Sequence, residues 1–369
     1  MQYKLTDLCN PKQWKTLATN ELIADGKYLV YGANGIIGKY DDYNHKEKTL
    51  MITCRGATCG NVHISEPYSY INGNAMCLDN LDTSKCDIKY LYFYLKNYDM
   101  KNVISGSAQP QITINSLNKV MIKVLPLSEQ KNIVKLFEKI ENGILIKKNE
   151  ILKLDEIIKS QFVEMFGNKQ DGFKYNLIEF NKCTDSMLKG PFGSDIKKSL
   201  YVPKSDDTYK VYIQINAIQQ DESLGNYYIS KEYFDSKMYK FELKPKDYIV
   251  TCDGTLGKLL RLDNEMERGI ISASLLKITL NNKINYKYFE ELWKQYMLGE
   301  LSHDIRNACL THLPSAKIIG LLMIPLPPID IQNKYATIVE QIDKQKFEFE
   351  KQLEKLKELQ SALMQEYFG

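Results

Sequence analysis

The sequence predicts a mixed α/β (α+β) protein in which two globular domains alternate with two long helices. Three observations predict this class: the chain repeats itself, two segments carry a heptad pattern of apolar residues, and prolines precede both segments. A length of 369 residues allows two or three domains. The predicted division is 1–127, 128–167, 168–328 and 329–369, with the two helices forming an intramolecular antiparallel coiled coil and pseudo-two-fold symmetry.

The two long segments align without a gap, 202 positions apart. Gln130 matches Gln332, Glu138 matches Glu340, and both segments end in Phe-Gly. The preceding prolines cannot continue a strand or lie inside a helix, so they punctuate the entry into each segment. We expect Ser128 and Asp330 to cap the free N–H groups of the first turn.

The globular parts repeat more weakly. TLMITCRGATCG (49–60) resembles DYIVTCDGTLGK (247–258), because each is an apolar strand followed by Thr-Cys, a charged residue and Gly. YLVYGANGI (28–36) resembles YKVYIQINAI (209–218). The spacing between copies drifts along the chain, which indicates loop insertions on a common framework.

Apolar residues in both long segments recur at the steps of four and three that make a coiled-coil seam. The seam residues are Ile133, Phe137, Ile140, Ile144, Ile151 and Leu154 in the first segment, and Val339, Ile342, Phe349, Leu353, Leu356 and Leu363 in the second. Lys147 and Lys346 interrupt the seam and would help to fix its register. An ordinary helix packed on a domain core is the open alternative. Apolar residues off the seam, including Val134, Leu145, Ile146, Leu152 and Phe162, suggest that the pair also docks a third protein.

Composition and motifs exclude several classes. The net charge of +3 excludes a strongly basic protein that coats nucleic acid, and 44% hydrophobic residues exclude disorder on a large scale. The sequence has no membrane-spanning apolar run and no signal peptide, so we expect a cytoplasmic protein. No C-x-x-C pair is present, and no metal site is predicted.

Catalytic motifs are absent too. YGANGIIGKY fails the Walker A pattern, and the chain has no methyltransferase tetrapeptide, H-E-x-x-H or G-x-S-x-G. We therefore expect a non-catalytic binding protein; a stand-alone nuclease or methyltransferase is the less favoured reading.

Polar and basic loop residues at comparable places in both halves are the candidate DNA-binding set, because Arg, Lys, Gln, Asn and His donate to phosphates and base edges. These residues are Lys39, Tyr40, Arg55, Gln109, Gln111, Lys189, Lys197, Lys198, Lys258, Arg306, Asn307 and His312. Solvated loops and alternating strand residues are the plainer interpretation of the Lys-Tyr pairs.

The order of these motifs resembles the specificity subunit of type I restriction–modification systems. YLVYGANGIIG, RGATCGN, GSAQPQI and LPLSEQ carry the resemblance in the first half; KGPFGSDIKKS, LKPKDYIVTCDGTLGK and IPLPPIDIQ carry it in the second. The resemblance implies two target recognition domains, each reading one half of a split, asymmetric double-stranded DNA site. It implies helices that set the spacer and bind two methyltransferase subunits, which restriction or translocase subunits can join.

S-adenosylmethionine, ATP and Mg2+ would then belong to partner subunits, with no cofactor in this chain. The second half departs from the first, with Asp253 at the place of Arg55 and Thr311-His312 near the place of Gln109-Pro110. Two domains that read different half-sites would differ in this way. A coiled-coil scaffold that does not bind DNA is the alternative function, and salt-dependent DNA binding would separate the two.

Overall fold

The computed structural model describes residues 1–106, 109–219, 225–254, 256–301 and 312–369, without the side chain of residue 216. The chain forms two compact units. Unit 1 comprises residues 1–150 and 349–369, and unit 2 comprises residues 151–348. Among the described residues, no helix combines the length and the apolar character that crossing a membrane requires.

Unit 1 contains an antiparallel four-stranded sheet, a three-stranded sheet and a two-stranded ribbon. The strands are β1 (Gln2–Lys4), β2 (Asn10–Gln13), β3 (Tyr28–Gly32), β4 (Gly35–Tyr40), β5 (Leu50–Thr53), β6 (Val62–Ile64), β7 (Tyr70–Ile71), β8 (Ala75–Asp79) and β9 (Met121–Lys123). The helices are α1 (Leu5–Leu8), α2 (Ile88–Asn97), α3 (Ile114–Leu117) and α4 (Leu127–Phe166), with 3₁₀ turns at Thr19–Glu21 and Met100–Asn102. The strand orders are β2-β8-β5-β6, β4-β3-β7 and β1-β9. Every residue of β5 is buried, so the four-stranded sheet is covered on both faces at this strand.

Unit 2 repeats this plan. Its strands are β10 (Gly167–Asn168), β11 (Gly172–Phe173), β12 (Leu177–Glu179), β13 (Thr184–Lys189), β14 (Thr208–Tyr212), β15 (Tyr227–Ser230), β16 (Glu242–Leu243), β17 (Tyr248–Thr251), β18 (Leu259–Arg261), β19 (Gly269–Ile271), β20 (Leu275–Leu280) and β21 (Met323–Pro325). Its helices are α5 (Gln214–Ala217), α6 (Lys231–Tyr233), α7 (Tyr286–Leu292), α8 (Ala316–Gly320) and α9 (Ile329–Phe368). Further turns are the 3₁₀ segments Phe180–Cys183, Gly193–Asp195, Lys198–Leu200 and Tyr239–Phe241 and the π segments Phe234–Met238 and Trp293–Met297.

The sheets of the two units correspond strand by strand. The order β13-β20-β17-β18 repeats β2-β8-β5-β6, and β12-β21 repeats β1-β9. The third sheet, β15-β14-β19-β16, keeps the parallel pairing seen between β3 and β7 and adds one strand. The mixed α/β class with two repeats and long helices, predicted from the sequence, is confirmed.

The long helices α4 and α9 have 40 residues each. Both begin directly after a proline: the carbonyl of Pro126 accepts from the N–H of Gln130, and the carbonyl of Pro328 accepts from the N–H of Gln332. Ser128 therefore lies within the first turn of α4, and Asp330 within the first turn of α9. The expectation that these two side chains cap the helices was wrong, because the prolines already mark the point where helical geometry starts.

Each unit contains the opening part of one long helix and the closing part of the other, and these parts run antiparallel. In unit 1, the Phe137 ring lies 5.6 Å from that of Phe368, and the Lys147 ammonium lies 4.3 Å from the Phe349 ring centre. In unit 2, an ion pair joins the two helices: the Lys346 ammonium of α9 donates to the Asp155 carboxylate of α4 at 2.7 Å. The predicted seam side chains are buried or half-buried in both units.

The same helices also pack on the domain cores, so the alternative of a helix on a core holds for part of their length. Phe137 stacks on Phe93 of α2 at 4.9 Å, and Val134 belongs to the same core. In unit 2, Phe162 stacks on Tyr288 of α7 at 5.6 Å. Val134 and Phe162, which the sequence suggested as part of a docking stripe, are therefore core residues.

A fully buried glutamine fixes the start of each long helix. In unit 1, the Gln130 amide donates to the carbonyls of Lys85 and Leu125 at 2.8 and 2.7 Å, and its oxygen accepts from the N–H of Asp87 at 2.8 Å. Asp87 is the N-cap of α2. The glutamine thus ties the first turn of α4 to the capped end of α2.

Unit 2 repeats the arrangement with different neighbours. Gln332 donates to the carbonyls of Lys283 and Pro327 at 3.1 and 2.8 Å, and accepts from the N–H of Asn285, the N-cap of α7, at 2.7 Å. A buried amide that satisfies three backbone groups leaves none of them unpaired, and removing it would leave all three without a partner.

We predict that Gln332→Ala lowers the free energy of unfolding of unit 2 by roughly 3 kcal/mol, because three buried backbone groups lose their partner. The measurement is urea unfolding followed by tryptophan fluorescence in a Trp14→Phe background, in which the buried Trp293 reports on unit 2 alone. Gln341→Ala, at an exposed position of the same helix, is the control and should change stability by less than about 0.5 kcal/mol. Equal unfolding curves for the two variants would contradict the prediction.

Candidate nucleic-acid interface

In unit 1, the chain that leaves β5 is held by backbone bonds on two sides. The Cys54 N–H donates to the carbonyl of Asn74 at 3.0 Å, and the Cys54 carbonyl accepts from the N–H of Ile112 at 3.0 Å. Cys54 and Ile112 are buried. This frame brings three segments together that are far apart in the sequence.

Arg55 and Gln111 face each other across an antiparallel bridge next to this frame. The N–H of Gly56 donates to the carbonyl of Pro110 at 3.3 Å, and Gly56 adopts a φ of +88°, which favours glycine. The side chains of Arg55, Gln109 and Gln111 are exposed. The structure therefore places three of the predicted DNA-binding residues on adjoining loops.

Gln13 lies beside these residues, although no sequence pattern pointed to it. It ends β2, is exposed, and its amide donates to the Cys54 sulfur and to the Gly73 carbonyl, both at 3.0 Å. The turn between β3 and β4 also reaches this region, because the Thr53 hydroxyl donates to the Ala33 carbonyl. The pairing of β2 with β8 would have been needed to find Gln13.

Unit 2 repeats the frame around Cys252. The Cys252 N–H donates to the Ser274 carbonyl at 2.8 Å, and the Leu313 N–H donates to the Cys252 carbonyl at 2.9 Å. Asp253 and His312 face each other across the equivalent antiparallel bridge. Their side chains also meet, with His312 Nδ1 2.5 Å from Asp253 Oδ1.

The register of the sheets identifies the counterparts. Gln13 pairs with Met76 on β8, as Lys189 pairs with Leu276 on β20, so Lys189 takes the place of Gln13. His312 takes the place of Gln111, because each bridges the residue that follows the buried cysteine. The sequence placed Thr311-His312 near Gln109-Pro110, and the structure puts His312 one position further on, at the place equivalent to Gln111.

The two buried cysteines act as structural residues. Burial raises the pKa of Cys252 to about 11, partly opposed by the positive charge of Lys189. Burial also raises the pKa of Cys54, opposed by the hydrogen bond from Gln13 and the charge of Arg55. Both thiols are neutral near pH 7, so they are poor nucleophiles.

The exposed groups around these thiols are hydrogen-bonding and charged, which suits contacts to base edges and phosphates. Unit 1 presents one cation and amide side chains, whereas unit 2 presents a lysine and an Asp-His pair. The two sites thus share a backbone frame and differ at three equivalent described positions: Gln13 and Lys189, Arg55 and Asp253, and Gln111 and His312.

Other predicted residues lie elsewhere or adjoin the frame. Lys258 directly precedes β18, after the turn that follows β17. Its N–H donates to the Thr251 hydroxyl at 3.0 Å, beside the frame of unit 2. Lys39 and Tyr40 end β4, five or six residues from the turn that reaches Thr53. Lys197 and Lys198 are exposed at the start of the 3₁₀ turn Lys198–Leu200. Arg306 and Asn307 lie outside the described residues.

One group of described side chains has donors suited to a metal ion, namely His45, Cys77 and Asp79. It lies in the body of unit 1, in the cleft bordered by β2 and β8, and none of its members belongs to the loops described above.

The sequence profile of the family described as type I restriction modification DNA specificity domain matches residues 1–156 and 193–360. A Haemophilus influenzae protein assigned as a type I restriction enzyme specificity subunit is 23% identical over 335 residues, which cover 88% of this chain and 82% of that protein. The specificity subunit of the type I restriction enzyme MjaIX of Methanocaldococcus jannaschii is 24% identical, covering 75% of this chain and 67% of the relative.

The fold is also similar to a solved structure. The crystal structure of a type I restriction–modification S subunit from M. genitalium superposes with a TM-score of 0.61 at 16% identity, and the match covers 99% of this chain and 94% of the other. At this identity the likeness shows the fold.

We predict that Gly190→Ala destabilises unit 2 by roughly 2 kcal/mol or more, because the added Cβ would lie 1.9 Å from the Ser272 carbonyl oxygen, a backbone atom. Gly190 directly follows Lys189, so the substitution should also displace this side chain. Gly193→Ala, in the same loop and with no neighbour within 4 Å of its Cβ, is the control. Urea unfolding in the Trp14→Phe background measures both variants; a Gly190→Ala protein as stable as the control would show that the loop is not held at this point.

Proposed function

Because this chain belongs to the type I restriction modification DNA specificity family, we propose that it is the DNA-reading specificity subunit of a type I methyltransferase complex. In this proposal the loops of unit 1 read one half of a bipartite, asymmetric site, and the loops of unit 2 read the other half.

The repeated frame with different outward side chains is the observation that carries the proposal. Arg pairs bidentately with guanine, Gln pairs with adenine, and Asp accepts from cytosine. Arg55 and Gln111 in unit 1, against Asp253 and His312 in unit 2, would therefore select different bases from equivalent positions. Lys189, Lys258 and the other exposed lysines would bind phosphates, which orient the protein without reading sequence.

The chemistry would belong to partner subunits. In this proposal the chain is not an enzyme, it works in the cytoplasm, and S-adenosylmethionine, ATP and Mg2+ bind to partners. The neutral, buried thiols beside each bridge support a reading role, since they leave hydrogen-bonding groups rather than a nucleophile at the surface.

The long helices would dock two methyltransferase subunits. Leu145 and Ile146 in unit 1 are 55% and 46% exposed, and Leu152 and Ile157 in unit 2 are 60% and 45% exposed. Apolar helix faces of this kind support protein docking. Restriction or translocase subunits would join the same complex.

The first test maps methylated adenines in cells that express the chain with its methyltransferase partner and in cells that lack the chain. We expect a bipartite motif that is methylated only when the chain is present. With the purified complex, the affinity for DNA should fall steeply as salt rises, because phosphate contacts release counterions. Salt-independent or absent DNA binding would favour the scaffold alternative.

The second test transplants the pair of unit 1 into unit 2. We predict that Asp253→Arg with His312→Gln lowers methylation of the original site at least about tenfold, which corresponds to one lost base contact. The second half of the motif should change and the first half should not. Lys317→Ala, at an exposed position of α8 in the same unit, is the control. An unchanged motif in the double variant would show that this bridge does not read bases.

A further inference from the structure

Three side chains of unit 1 gather ligand atoms of three kinds in one place. His45 Nε2, Cys77 Sγ and an Asp79 oxygen lie within 4.8 Å of one another. His45 and Cys77 are buried, and the Asp79 side chain is 12% exposed. Cys77 and Asp79 are two residues apart on β8 and therefore share one face of the strand, which explains why their side chains converge.

The surroundings already orient these ligands. His45 Nδ1 lies 2.7 Å from Asn44 Oδ1, an oxygen that also accepts from the N–H of Ile71 at 2.7 Å. Because that amide oxygen can only accept, Nδ1 donates to it. Nε2 lies 3.0 Å from Asp79 Oδ1 and donates to it in the metal-free protein, so a bound ion would take the place of that hydrogen. Trp14 donates to the second Asp79 oxygen at 3.0 Å. Metal-binding histidines and carboxylates typically have partners of this kind.

The remaining requirements are an entry path and a fourth ligand. A cavity of about 740 Å³ is bordered by Asn10, Lys12, Trp14, His45 and Asp79, so an ion and a water molecule can reach His45 and Asp79, while the Cys77 side chain is fully buried beside them. Ligand atoms of tetrahedral zinc lie about 3.3–3.8 Å apart. The Nε2–Oδ1 distance of 3.0 Å is near this range, and the sulfur lies within 4.8 Å of its partners, so a shift of roughly 1–1.5 Å would bring it to a ligand position.

In unit 2, a lysine side chain occupies the position that is equivalent to Cys77. Lys277 on β20 takes the place of Cys77, because Lys277 pairs with Ile249 as Cys77 pairs with Met51. The Lys277 side chain is buried, and its ammonium donates to the Glu242 carbonyl at 2.9 Å. In unit 1 the neighbouring Lys12 ammonium instead lies over the Trp14 ring, 3.8 Å from its centre.

We propose that His45, Cys77 and Asp79 bind one Zn2+ ion, with a water molecule from the cavity as the fourth ligand. Thiolate, imidazole and carboxylate are the ligands that zinc takes in proteins. The ion would join the segment at His45 to β8, an inner strand of the four-stranded sheet that lies between β2 and β5. The proposal does not depend on DNA reading. The sequence did not indicate it, because the ligands are spread over 35 residues without a C-x-x-C pair.

The test uses the purified full-length chain, stripped of metal and titrated with Co2+, whose thiolate complexes absorb strongly in the near ultraviolet. We expect one Co2+ per chain with a thiolate charge-transfer band, its loss when Zn2+ is added, and a higher thermal unfolding midpoint with Zn2+. Cys77→Ser should abolish the band. His45→Gln should weaken binding at least tenfold. Cys86→Ser, which removes another buried thiol of unit 1, should behave as the original chain does.

Two results would overturn the proposal. One is the original chain taking up no Co2+ with a thiolate band, which leaves a metal-free pair in which Nε2–H donates to Asp79. The other is a band that persists in Cys77→Ser, which would mark adventitious binding at another thiol. Because the original chain alone decides the first point, a variant that fails to fold leaves the test valid.

Discussion

A buried glutamine at the first turn of each long helix is the constraint on which the rest of each unit depends. Gln130 and Gln332 satisfy three backbone groups each, and one of these belongs to the residue that caps the neighbouring domain helix. Nearby tyrosines repeat the attachment, because Tyr90 donates to the Lys123 carbonyl at 2.8 Å and Tyr288 to that of Pro325 at 2.7 Å. A domain could turn about its helix only by leaving buried polar groups unpaired, which costs about 1–3 kcal/mol for each group.

In each unit, the groups that hold the fold together are different from the exposed side chains of the candidate interface. The frame around Cys54 and Cys252 is made of backbone hydrogen bonds and buried side chains, so it does not rest on the outward side chain of Arg55 or Asp253. The positions beside it hold Arg55 in one unit and Asp253 in the other without a change in the bridge. Reversing a charge at a buried position would be costly, whereas at these exposed loop positions it costs little. A duplicated framework can therefore acquire two different readers.

The long helices and the repeat were predictable because a heptad pattern over 40 residues is a strong local signal. What holds their first turns was not, since the sequence suggested a cap by Ser128, whereas the structure uses the Pro126 carbonyl and the buried contacts of Gln130. In the candidate interface, Arg55 lies close after strand β5 and Gln111 lies in a polar loop beside Pro110, so both could be proposed from the sequence. Gln13 could not, because only the pairing of β2 with β8 brings it to Cys54. Lys39 was proposed from the sequence, but a Lys-Tyr pair does not show where on a hairpin it lies. The structure places Lys39 near the end of β4, away from the turn between β3 and β4.

Residues near the end of α9 pack in the same core as residues of α1 and α2. In unit 1, Phe368 lies 5.4 Å from Tyr90 and 5.6 Å from Phe137, and it is 8% exposed. Burying a phenylalanine contributes about 2–3 kcal/mol, a large share of the stability of a small domain. In unit 2, Phe166 makes the equivalent contact with Tyr288 at 4.7 Å across a shorter stretch of sequence. Unit 1 therefore joins residues that are further apart in the sequence and carries the greater loop-closure cost.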